Sequence, residues 1–93
     1  MHFDWDQKKN LINQKKHGIT FDEASSVFFD EQAILFDDPD HSDTEERFLI
    51  LGISDNARLC IVCHCYRESE TVIRIISARK ATKKEAQRYE KGI

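Results

Sequence analysis

Arg74 and Arg79, set in the otherwise apolar stretch 72–79, are the side chains in this sequence best suited to chemistry. A guanidinium stays charged and donates in a bidentate fork, a geometry that matches phosphate. A strand with branched apolar residues on both sides belongs inside a sheet, where an unpaired charge is very costly, so these arginines must be paired or line a functional surface. Strict alternation places Arg74, Ile76 and Ala78 on one face and Ile73, Ile75, Ser77 and Arg79 on the other. Ion pairs with Glu46, Glu68, Glu70 or Glu85 are the competing use for both arginines. Arg47 opens another apolar run, where it could join the same groove or simply answer Glu45 and Glu46.

Acid–base candidates come next. Cys60, Val62, His64 and Tyr66 share one face of the run 59–66 by alternation. Histidine exchanges protons near neutral pH, and tyrosine can stack on a base or donate to it. A half-buried cross-strand histidine and an interfacial tyrosine are the plainer readings. Lys8, Lys15, Lys16 and His17 give an early helix a basic face, whose plainer reading is solvated charge answering the helix dipole. Cys60-x-x-Cys63 invites a metal, but an odd spacing on a strand points the two thiols to opposite sides, and no second ligand pair follows. No metal is expected. Asp37, Asp38, Asp40 and Asp43 are spaced a little like a calcium loop, but Pro39 interrupts and the required glycine and closing glutamate are out of register. A solvated acidic loop is expected there.

These residues need elements to hold them. Phe3 and Trp5 alternate with polar residues, as in a short edge strand. Asp6 can cap a helix running to about Lys16, with Gly18 supplying the left-handed residue that ends it. Thr20-Phe-Asp-Glu23 reads as a capping box opening a second helix, with Ile19 and Ala24 as a hydrophobic staple and Phe21, Ala24, Val27 and Phe28 on one face. Strands are expected over residues 33–36, 47–54, 59–66 and 72–79, joined by short polar turns. Thr82-Lys-Lys-Glu85 is a further capping box, and its helix ends at Gly92. The order β-α-α-β-β-β-β-α predicts an α+β fold: two N-terminal helices, an antiparallel meander and a C-terminal helix.

Ninety-three residues suit a single domain, 1–93. No apolar run approaches the ~20 residues that cross a bilayer, and the first residues lack a signal peptide's basic start and apolar stretch, so the cytoplasm is expected. Three clustered cysteines fit a reducing compartment. The net charge of −3 argues mildly against nucleic-acid binding. The charges are segregated, however: acid in 22–46, base in 8–17 and 74–88. A local field matters more to a charged ligand than the net charge.

Trp5-Asp6, Lys15-Lys16-His17-Gly18, Glu46-Arg47, Gly52, Ile76-Ser-Ala-Arg79, Glu85 and Tyr89, in this order, resemble the BrnT toxin family over most of the chain. The resemblance implies a small bacterial ribonuclease toxin of a type II toxin–antitoxin pair with a RelE-like fold. It implies RNA cleavage without a metal or cofactor, in which the ribose 2′-hydroxyl is the internal nucleophile. It further implies a ribbon-helix-helix antitoxin partner that carries operator-DNA binding, and an RNA substrate met free or on the ribosome. Carried over by position, the basic and polar set is Lys16, His17, Arg47, Arg74 and Arg79, with Tyr89 beside it. Joined to the residue-level candidates, this gives Arg79, Arg47, Lys16, His17 and His64 as catalytic candidates. Arg74, Tyr66, Tyr89 and Lys15 are the RNA-contact candidates. The rival is a non-catalytic interaction module of the same fold, its arginines consumed by ion pairs.

Overall fold

The computed structural model describes residues 1–38 and 45–92. Asp6 begins helix α1 (Gln7–His17) by accepting from the amides of Lys8 at 2.8 Å and Lys9 at 3.2 Å, and Gly18 ends it at φ 71°. Helix α2 (Phe21–Ser26) continues into a 3₁₀ turn, Val27–Phe29. Its cap is half of what the sequence suggests. Thr20 Oγ1 accepts from the Glu23 amide at 3.1 Å, but the Glu23 carboxylate, 6 % exposed, turns away from the cap. It accepts instead from Ser54 Oγ at 2.7 Å, Asn56 Nδ2 at 3.1 Å and Arg58 Nε at 2.9 Å. The Arg58 guanidinium, first among these, holds the Glu23 carboxyl down at about 2 against the penalty of burial. A buried carboxylate needs a cation more than a cap needs its second bond. Helix α3 (Lys83–Lys91), by contrast, forms both halves of its box, Thr82 with Glu85.

Five strands follow the predicted order: β1 (His2–Asp4), β2 (Ile34–Asp37), β3 (Phe48–Ile53), β4 (Leu59–Arg67) and β5 (Val72–Lys80). Strands β2 to β5 form the antiparallel meander, and β1 closes the β5 edge in parallel, giving the order β1-β5-β4-β3-β2. On one face α1, α2 and the 3₁₀ turn cover a core built from Ile19, Phe21, Ala24, Val27, Ile50, Cys60, Val62, Ile75 and Ala78. On the other, Ile34, Leu51 and Ile61 pack with Leu49, Ala81 and Tyr89 beneath α3. Gly52 permits the close approach of the 3₁₀ turn: a Cβ there would lie 2.9 Å from Val27 Cγ1 and 3.0 Å from Ala33 Cβ.

Strict alternation fails in β5. Cys63 pairs with Ser77 but His64 pairs with Ile75, leaving Ile76 as the extra residue of a bulge. Ile73, Ile75 and Ala78 therefore all face the buried side, at 4 %, 1 % and 1 % exposure, and Arg74, Ile76, Ser77 and Arg79 turn the other way. The expected division of this strand is thus corrected. Arg74 and Arg79 share a face because one inserted residue restores the phase between them.

Beyond the short β1, the outer edge of β5 is taken by a side chain. Asn13 of α1 donates through Nδ2 to the Ala78 carbonyl at 2.9 Å and accepts from the Ala78 amide at 3.0 Å, pairing with that residue as a strand would. The same Nδ2 donates to the Ile19 carbonyl at 2.8 Å. Helix α1 is thereby held alongside β5, with its C-terminal turn at the sheet's open face.

Candidate active-site cleft

Three separated basic side chains meet where α1 ends, β3 begins and β5 leaves its bulge. His17, Arg47 and Arg79 line one cleft of about 360 Å³, floored by Leu49, Ile61, Cys63, Ile76 and Ser77 and bordered by Asp38. The bulge contributes directly, since it presents Ile76 and Ser77 on Arg79's side of the strand. His17 is half-buried at the last position of α1, and Lys16 beside it is exposed.

Arg79 is held by a two-pronged contact: Nη1 donates to Glu85 Oε1 at 2.8 Å and Nη2 to Glu85 Oε2 at 3.0 Å, while Nη1 also reaches the Lys80 carbonyl at 3.2 Å. Arg79, ahead of any other contact, keeps the Glu85 carboxyl at about 2, and Glu85 in turn raises the arginine. A guanidinium carries five N–H groups, so these three bonds leave donors for a further anion. Arg47 is about a quarter exposed; its Nε lies 3.6 Å from Glu45 Oε1, an ion-pair distance beyond hydrogen-bond reach.

Asp38 is no solvated loop residue: it is 7 % exposed and accepts from Cys63 Sγ at 3.6 Å. Burial first, then the neighbouring carboxylate, pushes the Cys63 thiol up to about 11, so it remains protonated at neutral pH. Asp37, expected in the same loop, is the last residue of β2, and Pro39, Asp40 and Asp43 lie outside the described residues. The cysteines divide as alternation predicts, Cys60 in the helix-covered core and Cys63 in the cleft.

The remaining candidates are not brought to this cleft. His64 is fully buried on the helix-covered face, with its ring 4.7 Å from that of Phe28 and 5.4 Å from that of Tyr66. Its Nδ1 lies 3.2 Å from the Val62 carbonyl, its Nε2 has no hydrogen-bond partner, and burial lowers its pKa to about 4. Tyr66 packs beside it against Phe48. Arg74 Nη1 donates to Asp4 Oδ2 at 2.6 Å. Tyr89 donates to Asp30 Oδ2 at 2.6 Å, and burial followed by that carboxylate pushes it up to about 12. Lys15 is exposed on the outward side of α1. Asp38, Ser77 and Glu85 belong to the cleft or support it, although the residue types alone singled out none of them as site residues. For Glu85 a partial signal existed, since it is one of the four glutamates expected to compete for the arginines.

This small α+β fold has a solved counterpart, the 1.1 Å crystal structure of the Brucella abortus ribonuclease toxin, BrnT. The likeness has a TM-score of 0.67 at 26 % identity and covers 89 % of this chain and 99 % of that one. Residues 5–85 match the family model described as "Ribonuclease toxin, BrnT, of type II toxin-antitoxin system", and the chain belongs to that family. A comparison with curated proteins gives no match. Membership in a type II system implies an antitoxin partner. Among the described residues, no helix is long and apolar enough to cross a membrane.

Proposed function

We propose that this chain is a metal-independent endoribonuclease that acts in the cytoplasm and is neutralised by a ribbon-helix-helix antitoxin. The observation that carries the reading is the convergence of His17, Arg47 and Arg79 on one cleft in a ribonuclease-toxin family. In such cleavage the ribose 2′-oxygen attacks the adjacent phosphorus, a P–O bond forms to give a cyclic phosphate, and the bond to the 5′-oxygen breaks, that oxygen keeping the electron pair and taking a proton from solvent to leave as a hydroxyl. His17 is suited to take the 2′-hydroxyl proton. Arg79, oriented by Glu85 yet keeping free N–H groups, is suited to the charge that grows on the phosphate oxygens, with Arg47 beside it. Exposed Lys16 adds positive field at the cleft mouth, and Arg74, Tyr66, Tyr89 and Lys15 lie farther out, as outlying RNA contacts at most. Operator DNA would be bound only through the antitoxin, and the RNA can be met free or on a ribosome.

The second reading, a non-catalytic module that works only through its partner, is favoured by one observation: Glu85 already holds Arg79. The test is growth arrest on induced expression, together with cleavage of RNA by purified protein in the presence of a chelator. Wild type is expected to arrest growth and cut RNA, and folded Arg79→Ala to cut about a hundredfold more slowly or worse. Folded wild type that leaves RNA intact would overturn the enzyme reading, and cleavage abolished by the chelator alone would overturn its metal independence.

A further inference from the structure

Helix α1 turns polar residues inward and its two apolar residues outward. A surface helix ordinarily turns its apolar stripe inward. Here the inward residues are Asn10, Asn13 and His17. Asn13 bonds to the β5 edge, and Asn10 Oδ1 accepts from the Phe21 amide at 2.8 Å. The only two apolar residues of the helix, Leu11 and Ile12, face outward at 54 % and 59 % exposure. They floor a shallow groove of about 550 Å³ whose rim is Lys8, Gln14 and Lys15. Single exposed apolar residues are ordinary. A helix that is joined to its neighbours through two asparagines and turns both of its apolar residues to solvent is not.

Resting on the family's antitoxin partnership, we propose that this outward face of α1 docks an acidic amphipathic segment of the antitoxin. Charge complementarity selects that occupant. The helix holds four lysines and no acid, in a chain whose net charge is −3, so its outward face is a local positive patch around an apolar floor. Lys8, Leu11 or Ile12, and Lys15 recur at i, i+3 or i+4, and i+7, the anchor spacing of helix-on-helix recognition. An RNA backbone would engage the lysines but gain nothing from Leu11 and Ile12. A second copy of this chain would set lysine rim against lysine rim across a two-fold axis. An acidic segment with apolar anchors satisfies both features together.

The test uses the whole toxin, the antitoxin purified from its co-expressed gene, and the double variant Leu11→Ser/Ile12→Ser. Three quantities are read: toxin–antitoxin affinity by calorimetry, RNA cleavage without antitoxin, and melting temperature. Both substituted side chains are outside the cleft and exposed, so cleavage and melting should match wild type while affinity weakens tenfold or more. Lys8→Glu, which removes no packing, should also weaken affinity by about tenfold, an effect that added salt erases. Unchanged affinity in both variants overturns the inference. So does a folded double variant that loses cleavage, since the face would then serve RNA, and so does wild type that binds no antitoxin. Wild type that binds antitoxin through this face yet never cuts RNA would sink the enzyme reading and leave the docking surface standing.

Discussion

Replacing Asn13 by Ala tests whether one side chain joins α1 to the sheet. The substitution strips partners from three buried backbone groups: the Ala78 amide, the Ala78 carbonyl and the Ile19 carbonyl. Ala78 is 1 % exposed and Ile19 0 %, so water does not readily replace the lost amide. Each stranded group costs about 1–3 kcal/mol. The better helix propensity of alanine returns about 0.5 kcal/mol. The expected loss is therefore about 2.5–8.5 kcal/mol, a large part of the roughly 5–15 kcal/mol that holds a domain together. For a chain of this size that corresponds to a melting temperature at least about 10 °C lower. Thermal unfolding followed by circular dichroism reads it, with exposed Gln14→Ala as the control expected to change stability by less than about 0.5 kcal/mol. A drop of under about 4 °C would refute the reasoning, because Asn13 would then be a replaceable contact rather than the joint between helix and strand.

Two further predictions concern pH. His64 binds its proton near 6.5 when unfolded but only at about 4 when folded, so its contribution is complete above pH 6.5 and is lost as pH falls toward 4. The size is about 3 kcal/mol; urea midpoints at pH 7, 5 and 4 should show this slope in wild type and not in His64→Phe. Glu23 has its carboxyl depressed from 4.5 to about 2, so its contribution is present above pH 4.5 and fades as pH falls through 2. Glu23→Gln should destabilise by about 2–3 kcal/mol at pH 7, with Arg58 left short of its partner, and this difference should shrink at pH 3. A mutant penalty that stays constant with pH would show that shape rather than charge is the loss.

What could be read from the sequence was what depends on neighbours in the chain. The Asp6 and Thr82–Glu85 caps and the Gly18 stop lie within a turn of the helices they bound, and the element order followed from them and from the apolar runs. What escaped depends on distant partners. The bulge at Ile76 leaves no mark in a run of branched residues, so alternation misassigned half of β5. Asn13 sat unnoticed among lysines because its partner, Ala78, is in the last strand. Glu23 was read as a cap because Arg58, which wins it, lies across the β3–β4 turn. In the cleft, His17, Arg47 and Arg79 come from the set that the family resemblance implies, alongside Lys16 and Arg74, while the residue types alone leave the arginines open to ion pairing. Only the fold could separate them from His64, which alternation placed on a definite face without telling that helices cover it.

The way β5 is used at both edges has a consequence for the order of events during synthesis. Strand β1 and helix α1 emerge first, yet β1 pairs with β5 and Asn13 of α1 bonds to Ala78 in it. Until β5 arrives, α1 has its bonds to Ile19 and Phe21 but not its joint to the sheet, and the cleft lacks both its wall and Arg79. Loop closure over so much of the chain comes late. A half-made copy that lacks β5 therefore cannot carry the assembled cleft.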